Sequence, residues 1–528
     1  MSDPRPRRRA GLLIPLFSCP STASWGIGDI GDLAPTAAWL AAAGQRVLQL
    51  LPLNEMATGQ QSPYSAITAM AIDPIYIAVS AVPEFQACGG EAGLDADDRE
   101  RLAAARGAPR VDYAEVRRLK TRALDGAFHR FLEHEWRRGS ARADALRAFV
   151  AAEAWWLDDY ALFRAIRARE RERAWMEWPA PLRDRDEGAL AAARYDLSGE
   201  MLRYQYLQWL ADTQWRTARE AANGLGVALF GDLPFMVDGD SADVWAQQSQ
   251  FMLDASVGVP PDAFSATGQD WGMPVYRWDV IAGDGFRWLR ARARRSAHLF
   301  DGYRVDHLVG FYRTYGRPRR GGDPFFVPGD EPSQTQQGEE VLRIFREPGT
   351  DVIAEDLGTV PDFVRVSLAR MNVPGFCVAR WEREWHAAGH PFRDPASYPE
   401  RSVAISGTHD TEPLMAWWQQ ASRDERQMVA ALPTVAQHAA GSDLVDAPFN
   451  PGVRDALIGA LFSAGSELVL MPIQDVFGWN ERINEPATVT DRNWTTKLPW
   501  PIDRFDEVPE ACERRDRLRA WAAESHRI

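Results

Sequence analysis

Short apolar runs recur along the 528-residue chain, bounded by Gly, Pro or Asp and too brief for helices, which is the pattern of buried strands. Residues 45–53 (QRVLQLLPL) follow a helix-like stretch ending near Gly44 and read as the first strand. Residues 73–79 form a second β-prone run, and 224–230 (GLGVALF) lead into a third that ends at Gly231-Asp232-Leu233-Pro234. Later strands are predicted at 302–305, 351–353, 376–380, 402–405 and 467–471, while the apolar segment 11–17 reads as the first structured segment of the chain. Between the second and third strands, 84–194 turns Ala-, Arg- and Glu-rich with Trp and Leu at helical spacing, predicting a mainly helical insertion. Residues 204–223 predict a further helix, and 235–280 a long loop inserted after the third strand. Within that loop, 251–278 is rich in Gly, Pro and aromatics, which suits a cover over a site better than a solvated linker.

Three strands end in acids: Arg304-Val305-Asp306-His307, Ala354-Glu355-Asp356-Leu357-Gly358 and Gly407-Thr408-His409-Asp410. Asp306 and Glu355 are 49 residues apart, and Glu355 and Asp410 are 55 apart. An eight-fold β/α barrel spends ~31 residues per strand-helix unit. The first interval then fits one unit with a long loop and the second fits two units. All three acids fall at C-terminal strand ends, where barrel sites are built. Asp232, 74 residues before Asp306, fits an earlier strand end separated by one unit and a long loop. The predicted fold class is α/β, a (β/α)8 TIM barrel spanning 1–528 as one elaborated unit with a helical insertion and long covering loops. Two carboxylates flanking one bond, with a third beside them, are what glycoside chemistry requires.

A net charge of -14 argues against polyanionic partners such as nucleic acid, because phosphate binding relies on clustered Lys and Arg. The 21 tryptophans fit a sugar ligand, whose apolar C–H faces pack on flat rings, although most of them fill cores. Cys19, Cys88, Cys377 and Cys512 lack paired spacing, so neither a disulfide framework nor a zinc site is predicted, and a reducing, cytoplasmic setting is expected. No apolar run approaches the ~18 residues of a membrane span. Two imitations are set aside. The arginines at 5–9 followed by 11–17 resemble a signal peptide, but the apolar run is short and broken by Pro15. Gly26-Ile27-Gly28-Asp29-Ile30-Gly31 matches a dinucleotide fingerprint, but no tight strand-turn-helix precedes it.

The chain resembles the amylomaltases, 4-alpha-glucanotransferases also called disproportionating enzymes, over nearly its whole length. The resemblance is carried by the segments 25–31, 44–53 and Ser62-Pro63-Tyr64-Ser65, then Gly231-Asp232-Leu233-Pro234, 240–245, 258–262 and 268–272. The three acidic segments and Asn493-Trp494 complete it. The family implies a retaining double displacement on an alpha-1,4 bond of a maltooligosaccharide or starch-type glucan. The glucanyl unit passes to the 4-hydroxyl of glucose or another glucan, with no metal or organic cofactor. Asp306 would be the nucleophile and Glu355 the acid and base, with their carboxyl groups ~5–5.5 Å apart. Burial beside another acid would raise Glu355. Asp410 would stabilise the oxocarbenium-like transition state, and His409 would bind ring hydroxyls.

Arg304 lies two residues before Asp306, so on a strand the two share a face and the guanidinium would orient the nucleophile. Asp232 either shapes the same subsite or caps its turn. Tyr64 resembles the family's aromatic platform, and Phe264, Gln269 and Trp271 lie on its glucan-binding loop; each of the four has packing as the alternative reading. Asp356 and His307 alternate away from the site and read as supporting residues. Ala263, Met273 and Ala487 depart from the family's usual aromatic, Asn and Gly, which bears on glucan grip and not on the acids. Two competing readings remain: a retaining alpha-glucan hydrolase, which shares the glycosyl-enzyme, and a non-catalytic glucan-binding protein.

Overall fold

A computed structural model describes residues 8–261, 268–439 and 441–528. Its strands in chain order are β1 (Arg9–Leu13), β2 (Val47–Gln49), β3 (Ala228–Pro234), β4 (Phe251–Val259), β5 (Gln269–Tyr276), β6 (Gly302–Asp306), β7 (Thr314–Pro318), β8 (Phe325–Val327), β9 (Asp351–Ala354), β10 (Gly375–Val378), β11 (Ser402–Ile405) and β12 (Leu468–Pro472). Eight of them close a parallel barrel in the order β1-β2-β3-β6-β9-β10-β11-β12, with β12 returning to β1. Consecutive barrel strands are neighbours, and helices fill most of the connections, as a (β/α)8 barrel requires. The interior is packed: Val47, Phe230, Ile353, Phe376, Val378, Val403, Ile405, Leu468 and Leu470 form one buried cluster.

Two strand predictions are corrected. Residues 45–53 contain the second barrel strand, of which only Val47–Gln49 joins the ladder; the first is β1. That strand lies in the basic and apolar stretch that imitates a signal peptide, and Arg9 reaches across the barrel floor to Asp351 at 2.9 Å. Residues 73–79 are not a strand. The Asp73 carboxylate accepts from Ile75 N at 2.9 Å and pairs with Arg117 at 2.7 Å, so Asp73-Pro74 opens the 3-10 turn Pro74–Tyr76. A side chain that satisfies its own backbone competes with strand pairing.

The segment 251–278 is also more regular than a loop. β4 and β5 form a hairpin, extended by β7 and β8 into a four-stranded antiparallel sheet in the order β5-β4-β7-β8. Glycine, proline and two register shifts interrupt the alternation that would have announced it. Phe264 and Ala263 fall outside the described residues. Helices Tyr113–Phe131, Ala141–Arg169 and Ser198–Gly224 are the longest elements of the run between β2 and β3.

Lys120 anchors the first of these helices to the segments that follow β1 and β2. Its buried ammonium donates to Asp29 Oδ2 (2.9 Å), Ile75 O (2.7 Å) and Ile77 O (2.9 Å). Asp29, the acid of the false dinucleotide motif, also caps the 3-10 turn Ile30–Asp32 through Gly31 N at 3.0 Å. Removing one partner of a buried ion pair strands the other charge, at ~3–5 kcal/mol. Lys120→Met should lower the unfolding free energy by about that amount in denaturant titration. Arg101→Met, which breaks an exposed pair with Asp97, should leave the unfolding midpoint almost unchanged in the same titration.

Candidate active site

Strand register brings the predicted polar residues together. Asp232 on β3 lies opposite Arg304 on β6, and Pro234 opposite Asp306. Period-two alternation turns Arg304 and Asp306 to the same face, and β9 sits beside β6 with Val305 opposite Ala354. Glu355 is therefore the first residue beyond β9. The Arg304 guanidinium donates through Nη1 to Asp232 Oδ2 at 2.7 Å and through Nη2 to Asp306 Oδ1 at 2.8 Å. The same Nη2 stands 4.0 Å from Glu355 Oε2. The two acidic oxygens can be no further apart than the sum of those two distances to the shared nitrogen. That bound is compatible with the ~5–5.5 Å carboxyl spacing of retaining enzymes.

Asp410 arrives from the turn after β11, where Thr408 Oγ1 accepts its backbone N–H at 3.2 Å. His409 Nε2 lies 3.2 Å from Asp410 Oδ2, Asn484 Nδ2 donates to Oδ1 at 2.6 Å, and Arg482 donates to the Asp410 carbonyl at 2.6 Å. Tyr64 joins the two halves. Its hydroxyl donates to Asp232 Oδ2 at 3.0 Å and is 3.0 Å from His409 Nε2, and its ring stacks on His409 at 5.5 Å. A continuous polar chain thus runs from Asp306 through Arg304, Asp232, Tyr64 and His409 to Asp410. Trp494 closes it laterally, 5.7 Å from both the Tyr64 and the His409 rings.

Burial varies across this cluster. The Asp232 and Arg304 side chains are 0% and 5% exposed, whereas Asp306 and Asp410 are 31% and 42% exposed to the groove. Burial raises Glu355 to about 7; Arg304 opposes the rise and Asp306 adds to it. Asp410 goes the other way. Burial disfavours its charge, but His409 and the Asn484 amide overcome that and hold it well below the usual carboxylate range. His409 is buried, which disfavours protonation, yet Asp410 raises it above an ordinary imidazole. Acids whose environments push them in opposite directions are equipped for different tasks.

His307, read from the sequence as a supporting residue, holds the acid from the backbone. Its N–H donates to Glu355 Oε2 at 2.7 Å, from a conformation with φ of 47°, in the left-handed region that few non-glycine residues occupy. Trp271 packs edge-on against the His307 ring at 4.8 Å, which sets the β4–β5 hairpin beside Asp306. Gln269 is exposed, opposite Val259 in the ladder, and accepts the Trp271 indole N–H at 3.1 Å. Asp356 faces away, accepting from Phe376 N at 2.9 Å and pairing with Arg365 at 3.2 Å. Met273 is half-buried on β5, and Ala487 takes the φ of 58° that a glycine would adopt freely.

Asn484, Arg482 and the carbonyl-side grip on Asp410 were not predicted. They stand more than seventy residues along the chain from Asp410 and carry no local signal. Among the described residues no group of three or more His, Cys, Asp or Glu is set to hold a metal ion. None of the described helices is long and apolar enough to cross a membrane.

Acid–base chemistry on a glycosidic bond is what such a barrel rim is equipped for, and it puts the protein among the barrel enzymes that process glycosides. The chain belongs to the 4-alpha-glucanotransferase family, whose profile matches residues 14–503. It is 33% identical to a 4-alpha-glucanotransferase of Synechocystis, over 92% of this chain and 93% of that one. It is 32% identical to that of Thermus thermophilus, over 96% and 99%. Among solved structures, the amylomaltase from Streptococcus agalactiae in complex with acarbose superposes with a TM-score of 0.81 at 26% identity, covering 98% of this chain and 99% of that one. The protein is thus an enzyme of the 4-alpha-glucanotransferase family, and these relatives give the hydrolase reading no support.

The raised Glu355 has a consequence for stability. An acid whose folded pKa lies above its unfolded value holds its proton more tightly when folded, so stability falls as pH rises between the two. The window runs from 4.5, its ordinary value, to about 7. Urea titrations should show wild type losing stability relative to Glu355→Gln across that window, with a constant difference above it. A difference independent of pH would contradict the assignment.

Proposed function

We propose that the protein cleaves an alpha-1,4 bond in a maltooligosaccharide or starch-type glucan and passes the glucanyl unit to the 4-hydroxyl of glucose or another 1,4-alpha-glucan, with retention. The observation that carries this reading is one guanidinium shared by two acids of different character: Asp306 at 2.8 Å and a Glu355 raised to about 7.

Asp306 Oδ attacks the anomeric carbon as the bond to the departing O4 breaks. Glu355 gives its proton to that oxygen, leaving a glycosyl ester on Asp306 and a carboxylate on Glu355. The acceptor 4-hydroxyl then loses its proton to Glu355 while its oxygen attacks the same carbon. The ester bond breaks and both acids return to their starting states. Arg304 aims the nucleophile through a charge-assisted hydrogen bond. Asp410, kept ionised by His409 and Asn484, faces the positive charge that develops at the anomeric centre. His409, Asp232 and Tyr64 shape the same sugar subsite, in which the buried His409 Nδ1 and Asp232 Oδ1 have no protein hydrogen-bond partner. Trp271 supplies an aromatic face beside His307, with Gln269 on the same strand as a further contact; Phe264, outside the described residues, is proposed as a glucan contact from the sequence alone.

Transfer instead of hydrolysis requires that an acceptor sugar outcompete water at the glycosyl ester. The antiparallel sheet beside Asp306, with Trp271 against His307, supports such an enclosed acceptor side. The thiols of all four cysteines are free, which supports a reducing, cytoplasmic setting.

Incubation with maltotriose should give a ladder extending above maltotriose with total reducing ends nearly constant. Shorter products only, with rising reducing ends, would make the enzyme a hydrolase. Since Glu355 must start protonated, kcat/KM should fall as pH rises through about 7. Glu355→Gln should abolish transfer from maltotriose, and Asp306→Asn should do the same.

A further inference from the structure

Beneath the acidic rim lies a cavity of about 10 Å3, lined from six of the eight barrel strands and from the turn after β11. One water molecule needs ~10–15 Å3 on this measure. Most of the lining is apolar, with Leu13, Phe376, Ile405 and Leu470 among its walls. Gln49 enters it from the last position of β2, Arg304 from β6 and His409 from the turn. These three are 3%, 5% and 2% exposed. Each carries one buried nitrogen without a protein partner: Gln49 Nε2, Arg304 Nε and His409 Nδ1.

The other nitrogens of Arg304 and His409 are committed. Arg304 Nη1 and Nη2 serve Asp232 and Asp306, and His409 Nε2 faces Asp410 and the Tyr64 hydroxyl. Tyr64 donates to Asp232, so its oxygen is left to accept from His409 Nε2. The hydrogen of the neutral ring therefore belongs on Nε2, which makes Nδ1 an acceptor. Arg304 Nε–H and the Gln49 amide are donors. One water closes the set by accepting from both donors and giving a hydrogen to Nδ1. Buried polar groups are as a rule partnered, and this arrangement partners all three.

We propose that Gln49 is a positioning residue, which through one buried water fixes the orientation and the Nε2-protonated form of His409; its catalytic role rests on the function proposed above. His409 is faced by Asp410 on its own turn, Tyr64 from the segment after β2, Asp232 on β3, Arg304 on β6 and the ring of Trp494. The two acids favour its charged form, and Arg304 favours the neutral one. A water donating to Nδ1 acts on the side of Arg304. A ring held in this way keeps Nε2–H aimed at Asp410 and Tyr64.

Crystal structures of the full-length wild type and of Gln49→Leu test the water, and maltotriose transfer by the same proteins tests its role. Wild type should show one ordered water within hydrogen-bond distance of all three nitrogens, and Gln49→Leu should lack it. Gln49→Leu conserves volume and should lower kcat about tenfold or more, with KM and the midpoint of the pH profile little changed. Gln49→Glu can donate only while its carboxyl is protonated. Its transfer should approach wild type at acidic pH and fall at a lower pH than wild type does. A residue that merely packs would not make turnover follow its own ionisation. Gln49→Glu carries the test if Gln49→Leu fails to fold. Three results would each overturn the proposal: no such water in wild type, unchanged kcat in Gln49→Leu, or a wild-type pH profile in Gln49→Glu. If wild type holds the water but does not transfer from maltotriose, the proposed function fails and the catalytic role of Gln49 with it, while the water site stands.

Discussion

A single buried guanidinium organises the acidic rim of the barrel. Arg304 is 5% exposed and faces three carboxyl groups, at 2.7 Å for Asp232, 2.8 Å for Asp306 and 4.0 Å for Glu355. The guanidinium is in direct hydrogen-bonding contact with two of them and only at ion-pair distance from the third. The least directly bonded acid, Glu355, keeps its proton to about pH 7. The difference between Asp306 and Glu355, the proposed nucleophile and acid, therefore follows first from the burial of Glu355, which Asp306 reinforces and Arg304 only partly offsets. Deleting the guanidinium would leave Asp232 buried without its cation and Asp306 without its aim.

Asp410 is held mainly by other groups. It is partnered by His409 and by the segment carrying Arg482 and Asn484, and it stays ionised where Glu355 does not. Tyr64 bridges the two systems, accepting a place between Asp232 and His409 at 3.0 Å from each. The rim thus behaves as one polar unit in which a shift at either end changes the hydrogen bonding at the other, the kind of network whose members act non-additively.

Much of this was legible because β-structure has period two and barrels have a fixed length per unit. Arg304 and Asp306 share a face for that reason. The intervals 306–355 and 355–410 correspond to one and two units, as β6, β9 and β11 show. The misses have local causes. β1 begins beneath a basic run that imitates a targeting sequence, and Asp73-Pro74 turns an apolar segment into a 3-10 turn by satisfying its own backbone. Glycines and register shifts concealed the β4–β5 hairpin. Asn484 and Arg482 reach Asp410 only through the tertiary fold, and the role of His307 lies in its backbone N–H, which no side-chain pattern announces.

The most direct test of the account is to identify which carboxylate carries the sugar during turnover. Glu355→Gln, incubated with a maltooligosaccharyl fluoride whose nonreducing end lacks its 4-hydroxyl, should accumulate the glycosyl-enzyme, because fluoride leaves without acid help and the modified sugar cannot serve as acceptor. Peptide mapping by mass spectrometry should then find the added glycosyl mass on the peptide containing Asp306. Label on Asp410 or Asp232 instead, or release of fluoride with inverted product and no labelled peptide, would contradict the arrangement built around Arg304.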